Sequence, residues 1–165
     1  IELAADLKSR KDLGFLFVGG GSEVNKLKKL SALKKLDNIL FFDEINPDEV
    51  PSLLKMCHVG LISLDLRHKS HNIPGKFLTY LKAGLPVLAK INPGTDLQNI
   101  IEKEKVGIVY TYDTVNNFSI LAQKIIDDEK KYKIMSDLGR GLYHKMFSTN
   151  KITNKIISSL FDIIK

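Results

Sequence analysis

The chain has 165 residues, 44% of them hydrophobic and 27% charged, which is typical of one globular domain with its own core. No run of about 18 apolar residues is present, and Ile1 is not followed by the basic and apolar regions of a signal peptide, so neither a membrane span nor a leader is predicted. The net charge of +6 favours anionic partners, and the single Cys57 excludes an internal disulfide and is typical of a reducing compartment.

The first quarter of the chain predicts a helix, a strand and a second helix. The first helix covers Ile1 to Lys8 and begins without an N-cap signal. The strand Phe15 to Val18 leads directly into Gly19-Gly20-Gly21. Ser22 is a plausible N-cap for a helix from Glu23 to Leu36. Four apolar residues are predicted on the buried side of this helix: Val24, Leu27, Leu30 and Leu33.

The rest of the chain continues the alternation of strands and helices. Further strands are predicted at 38–42, within 58–64, at 86–90 and at 106–110. Helices are predicted at 46–57, from Pro74, from 96 to 105, and from Val115 to the end, with interruptions near 139–141 and 148–150. Five strands alternating with helices predict the α/β class, as a Rossmann-like open parallel sheet with helices on both faces.

The stretch with the clearest chemistry is the loop between the third strand and the helix at Pro74. Its residues from Asp65 to Gly75 hold one acid and four basic or imidazole side chains: Arg67, His68, Lys69 and His71. Proline at the first helical turn costs no needed N–H group, so we expect the helix to begin at Pro74-Gly75-Lys76. A helix N-terminus carries about half a positive charge and free N–H groups, and ligands of open α/β sheets bind at this edge. The pattern predicts a phosphate site from Arg67 to Lys76.

Other motifs allow two interpretations each. The glycines Gly19 to Gly21 fit either a tight turn or the approach of a phosphate, but they lack the G-x-G-x-x-G spacing of a dinucleotide site. Five lysines at 26, 28, 29, 34 and 35 fit a solvated outer helix face better than a nucleic-acid or membrane patch. His68 and His71 have no neighbouring cysteine and only Asp65 as an acid, so no metal site is predicted.

Four segments carry a family resemblance. They are FLFVGGGSE at 15–23, NILFFDEINPDEVPSLLKMCHVGLISL at 38–64, IPGKFLTYLKAGLPVLA at 73–89 and VGIVY at 106–110. Together they resemble the C-terminal half of a GT-B fold glycosyltransferase, of the large retaining group that uses nucleotide sugars and builds bacterial surface polysaccharides. The resemblance implies that this half binds the nucleotide diphosphate of the sugar donor, while an N-terminal half binds a polysaccharide or lipid-linked acceptor.

The resemblance also implies site residues. Where the family has two glutamates that contact the donor sugar and the ribose, this sequence has His71 and Thr79. Lys76 at the helix start is a suitable point charge for a diphosphate, and the base and ribose are expected against the loops at 19–21 and 43–45. The implied sugar-donor contacts are Gly19, Gly20, Gly21, Asp43, Glu44, Ile45, Arg67, His71, Asn72, Pro74, Gly75, Lys76 and Thr79. No catalytic residue, metal or cofactor is implied.

The family's C-terminal half begins with a strand before the helix that matches Ile1 to Lys8, and this strand is central in the Rossmann order. The sequence begins at that helix, so we expect the domain to lack its first strand. We therefore expect a piece of a longer two-domain enzyme that is cytoplasmic and in possible peripheral contact with the inner membrane. Residues 1–165 are expected to be one nucleotide-sugar-binding domain. This domain alone is expected to transfer no sugar. The alternative is a non-catalytic α/β module that binds nucleotides or nucleic acid through its basic surface. Nucleic acid is not expected as a partner under the first hypothesis.

Overall fold

The structure is a computed structural model that describes residues 1–65, 67, 72–111, 117–147, 153 and 157–158. The predicted loop residues His68, Lys69 and His71 lie outside the described residues. The chain divides into two compact units, residues 1–52 and residues 53–165, and each is described by itself.

The first unit is built on two parallel strands with a helix before each. Strand β1 pairs with β2 in a register that runs from Phe15 opposite Ile39 to Val18 opposite Phe42. Asn46 begins the next segment with a complete capping box, in which its side chain accepts from Asp48 N and Glu49 reaches back to the Asn46 N–H. The elements are α1 (Glu2–Asp6), β1 (Phe15–Val18), α2 (Val24–Leu33), β2 (Ile39–Phe42), a 3-10 turn (Pro47–Glu49) and α3 (Val50–Leu54), which crosses the boundary between the units.

The two faces of the β1–β2 pair differ in burial. On one face the rings of Phe17 and Phe41 stack with their centroids 5.2 Å apart. On the other face the side chains are exposed, from 38% for Val18 to 59% for Leu40. One face of the described β1–β2 pair is therefore exposed to solvent. The exposed residues are Leu16, Val18, Leu40 and Phe42.

Helix α2 corrects two details of the sequence analysis. It is shorter than predicted, and its N-cap is Glu23 without a side-chain cap, so Ser22 does not cap it. Its inward positions are Val24, Leu27 and Ser31, which repeat at helical spacing. Leu30 and Leu33 were also predicted to be buried, but they are 36% and 81% exposed. They lie off the inward stripe because an interval of three residues, repeated along a 3.6-residue helix, drifts around its surface.

The second unit holds a three-stranded parallel sheet in the order β3-β4-β5. Its strands start within one or two residues of the predicted positions. The elements are β3 (Gly60–Ser63), α4 (Gly75–Ala83), β4 (Val87–Lys90), α5 (Asp96–Glu104), β5 (Gly107–Tyr110), α6 (Phe118–Ile126), α7 (Glu129–Leu142) and a π-helical turn (Tyr143–Phe147).

The five strands form two ladders rather than the single sheet that the sequence pattern predicts. Within the described part of the chain, β1 pairs only with β2, and β3 pairs only with β4. The parallel pairing and the flanking helices confirm the predicted α/β class.

Helices cover both faces of the β3-β4-β5 sheet, as predicted. On one face Ile62 and Ala89 belong to a buried cluster with Phe77 and Leu81 of α4. On the other face the ring of Tyr110 lies 5.3 Å from that of Phe118 in α6. This double cover is typical of parallel sheets.

The C-terminal helical region corrects another prediction. Helix α7 runs without a break through Gly139 and Gly141, where an interruption was predicted. The break falls instead between α6 and α7, where Asp128 caps α7 by accepting from Lys131 N at 2.9 Å. A Cβ at Gly139 would lie 3.3 Å from Leu81 Cδ2, so this glycine serves the close packing of α7 on α4 rather than a turn.

Candidate functional site

The anion site predicted from the sequence lies at the start of α4. Pro74 is its N-cap with extended φ and ψ of −60° and 135°, and no side chain caps the helix. In the first turn the N–H of Phe77 donates to Pro74 O at 2.9 Å. The N–H groups of Gly75 and Lys76 precede it at the helix end, where no intrahelical acceptor exists. This terminus is therefore open to an anionic ligand.

The surroundings of this terminus leave room for a ligand. Gly75 and Lys76 are both exposed, and a Cβ built on Gly75 would meet nothing within 4 Å. Lys76 forms no ion pair with the described part of the chain. The rest of α4 is anchored, because Phe77 and Leu81 are fully buried in the core of the second unit. A helix packed into the core thus presents an exposed lysine and its N-terminal amides at its start.

Arg67, the other predicted cation, is engaged within its own loop. Its Nε and Nη2 atoms donate to the two carboxylate oxygens of Asp65, each at 2.8 Å, and its backbone N–H donates to the same carboxylate. The hydrogen bonds to Asp65 raise the pKa of Arg67 above its usual value. Both side chains are exposed, so the pair is weak in energy but reduces the net positive charge that Arg67 brings to the loop.

The remaining predicted residues of this loop and helix are placed as follows. Thr79 Oγ1 donates to Gly75 O at 3.2 Å, so its hydroxyl keeps only acceptor capacity for a ligand. Asn72 is exposed just before the helix, and Pro74 is half-buried. His71 lies outside the described residues.

In the first unit, the two predicted loops meet. Gly19 and Gly21 have φ of 129° and 143°, in a region that side chains rarely adopt, and Gly19 N donates to Phe42 O at 3.2 Å. A Cβ on Gly20 would lie 2.8 Å from Glu44 Oε1, so these two residues are neighbours at the carboxyl ends of β1 and β2. The fold thus brings together the residues predicted to contact the base and ribose. Asp43 and Glu44 are exposed and Ile45 is half-buried.

One row of residues at the carboxyl edge of the second sheet was missed in the sequence analysis. Ser63, Lys90 and Tyr110 are register partners at the ends of β3, β4 and β5. Lys90 Nζ lies 5.9 Å from the centroid of the Tyr110 ring. The sequence did contain a signal for this row, because Lys90 ends an otherwise buried strand. Ligands of open α/β sheets approach the edge where such strands end.

Other titratable groups take part in packing. Burial raises the pKa of the Cys57 thiol, whose Sγ donates to Leu53 O at 3.5 Å. Burial, and to a lesser degree the nearby Cys57, raises the pKa of Tyr80, whose hydroxyl donates to Leu61 O at 3.4 Å. The described residues contain no group of three or more His, Cys, Asp or Glu side chains placed to hold a metal ion.

The described residues form a parallel α/β fold with a lysine-bearing helix terminus at the carboxyl edge of its second sheet. The comparisons with known proteins are more specific. The family described as "Glycosyl transferases group 1" matches residues 1–141, so the chain belongs to this family. None of the helices in the described residues is long and apolar enough to cross a membrane.

Two relatives place the fold. The chain is 23% identical over 125 residues to "Probable glycosyltransferase WbjE" of Pseudomonas aeruginosa, a match that covers 76% of this chain and 30% of the relative. It is also similar to the crystal structure of WaaG, described as "a glycosyltransferase involved in lipopolysaccharide biosynthesis", with a TM-score of 0.72 and 18% identity over 88% of this chain and 38% of that one. The fold is thus that of a GT-B C-terminal half, and the chain spans about a third of the length of these relatives.

Proposed function

We propose that this chain is the sugar-donor-binding half of a glycosyltransferase that moves a sugar from a nucleotide diphosphate sugar to a polysaccharide or lipid-linked acceptor. The observation that carries the proposal is the uncapped, exposed start of α4, with Lys76 in its first turn at the carboxyl edge of the sheet. Membership of the group 1 family and relatives named as glycosyltransferases support it.

The chemistry at this edge is electrostatic. When the bond between the sugar and the diphosphate breaks, negative charge develops on the departing nucleotide, and fixed positive groups stabilise it. Lys76 and the α4 terminus supply this field, and Lys90 adds a cation at the end of β4. Arg67 contributes less positive charge than Lys76, because its guanidinium is hydrogen-bonded to the carboxylate of Asp65. No metal ion takes part in this scheme.

The nucleoside is assigned to the loops of the first unit. The glycines at 19–21 allow close approach to the backbone, and Glu44 beside Gly20 offers carboxylate oxygens. A carboxylate accepts hydrogen bonds from ribose hydroxyls or base N–H groups but repels phosphate, so the diphosphate belongs at α4 instead. In the same scheme Thr79 accepts one hydrogen bond from a sugar hydroxyl. The contact with the transferred sugar that the resemblance implies for His71 concerns a residue outside the described part of the chain.

The rest of the reaction requires partners beyond these residues. We assign the acceptor to an N-terminal domain of the full-length enzyme, which works in the cytoplasm in peripheral contact with the inner membrane and transfers a hexose. Holding sugar donor and acceptor together supplies about 7–11 kcal/mol of a barrier of this kind. Residues 1–165, acting as one donor-binding domain, therefore bind nucleotide but transfer no sugar alone.

The test combines binding and turnover. We expect calorimetry to show binding of uridine or guanosine diphosphate, with NMR shifts at the amides of Gly75 and Lys76, and no comparable binding of a duplex oligonucleotide. Incubation with radiolabelled nucleotide sugars and lipid-linked acceptors should give product with the full-length enzyme only. Tight duplex binding without nucleotide binding would favour the non-catalytic module, and equal turnover by residues 1–165 would refute the assignment of the acceptor to another domain.

A further inference from the structure

Helix α2 presents a mixed surface of lysine and leucine to solvent. Its inward stripe is Val24, Leu27 and Ser31, and the exposed positions 26, 29, 30 and 33, at intervals of three and four residues, form a separate stripe outside it. Leu33 in this stripe is 81% exposed, the highest value among the exposed large hydrophobic side chains of the described chain. We call this stripe the α2 outer face; it consists of Lys26, Lys29, Leu30 and Leu33.

Positive charge is segregated onto this helix. Residues 23–35 hold five lysines and a single acid, Glu23, while the rest of residues 1–52 holds three basic residues and eight acidic ones. Glu23 pairs with Lys26 at 2.9 Å, but both side chains are well exposed, so this ion pair is weak and easily exchanged. The first unit thus carries a local basic patch on an otherwise acidic surface.

The composition of the patch identifies its partner. Lysines can contact the phosphates of a nucleic acid, but residues 23–35 have no arginine or aromatic side chain for base contacts, and the two leucines contribute nothing to phosphate binding. An anionic lipid surface satisfies both features at once, because lysines pair with lipid phosphates while leucines enter the boundary with the acyl chains. We propose that the α2 outer face docks on an anionic phospholipid membrane.

This docking surface does not depend on the sugar-transfer site. Its residues all lie on α2, and none of them belongs to the loops assigned to the nucleotide. Each lysine near an anionic membrane strengthens binding by a factor of about five, and burial of one exposed leucine contributes a similar factor. The attraction by the lysines falls as salt is raised, because ions screen exposed charges.

The experiment measures sedimentation of the full chain with vesicles of phosphatidylcholine alone or mixed with phosphatidylglycerol. We expect binding only to the mixed vesicles, about 20-fold weaker for Lys26→Gln/Lys29→Gln and about fivefold weaker for Leu33→Ser. Lys130→Gln/Lys133→Gln, which removes the same charge from exposed positions of α7, should change binding by about twofold or less.

Three results would overturn the proposal. The first is equal binding to both kinds of vesicle or to neither. The second is a control pair that weakens binding as much as the α2 pair does, which would indicate a general charge effect. The third is duplex oligonucleotide binding as tight as vesicle binding and unaffected by Leu33→Ser, which would assign α2 to nucleic acid. Because Leu33 is 81% exposed, its substitution removes little core packing, and circular dichroism checks that each variant is folded.

Discussion

Replacing Lys76 by alanine tests the assignment of the diphosphate to the start of α4. A hydrogen bond to a charged group contributes about 1.5–3 kcal/mol, and an exposed lysine should give the lower end of this range. We therefore expect Lys76→Ala to weaken nucleoside diphosphate binding by about tenfold. Residual binding should remain, because the free N–H groups of Gly75 and residue 76 belong to the backbone and survive the change.

The matched control is Lys82→Ala, which removes the same charge from the last turn of the same helix. Calorimetry with uridine and guanosine diphosphates should show no more than a twofold effect of this control. Raising the ionic strength from 0.1 to 1 M shortens the screening length from about 10 to about 3 Å, so wild type should lose more affinity than Lys76→Ala. Unchanged affinity of Lys76→Ala with an intact circular dichroism spectrum, or an equal loss in Lys82→Ala, would refute the site.

Three further predictions concern stability. A Cβ at Gly107 would overlap the backbone of Val87 in β4, so Gly107→Ala should lower the free energy of unfolding by about 3 kcal/mol or more and Tm by at least about 6 °C. The control Gly14→Ala, at a position with open space around it, should change Tm little. Asn46→Ala removes the capping box and should cost about 0.5–2 kcal/mol in urea unfolding. Burial raises the pKa of Tyr80, so its contribution to the free energy of unfolding is present below pH 10 and is lost as the pH rises further. Tyr80→Phe should therefore reduce the fall of the urea unfolding midpoint at alkaline pH. An unchanged dependence of this midpoint on pH would contradict the prediction.

The sequence by itself determined the local structure at the site. The strand Phe15–Val18 was predicted with its observed bounds, and the start of α4 at Pro74-Gly75 was predicted to within one residue. These succeed because the signals are local: an apolar run bounded by glycines, and a proline, which is disfavoured inside a helix and here takes the extended N-cap position just before the first turn. The adjacency of the loops after β1 and β2 also followed, because parallel strands that pair end at one edge.

Only the tertiary structure decided which side chains are paired, packed or exposed. Arg67 reads as a free cation in the sequence, yet it folds back onto Asp65, since two residues of separation permit a bidentate pair that no pattern reveals. Gly139 suggests a helix break in the sequence, yet α7 continues through it. The absence of a Cβ allows Leu81 to pack closely, and the free energy gained by this packing exceeds the loss in helix propensity. Leu33 reads as core, yet it is exposed, because burial depends on the neighbours that the fold supplies and not on the residue type alone.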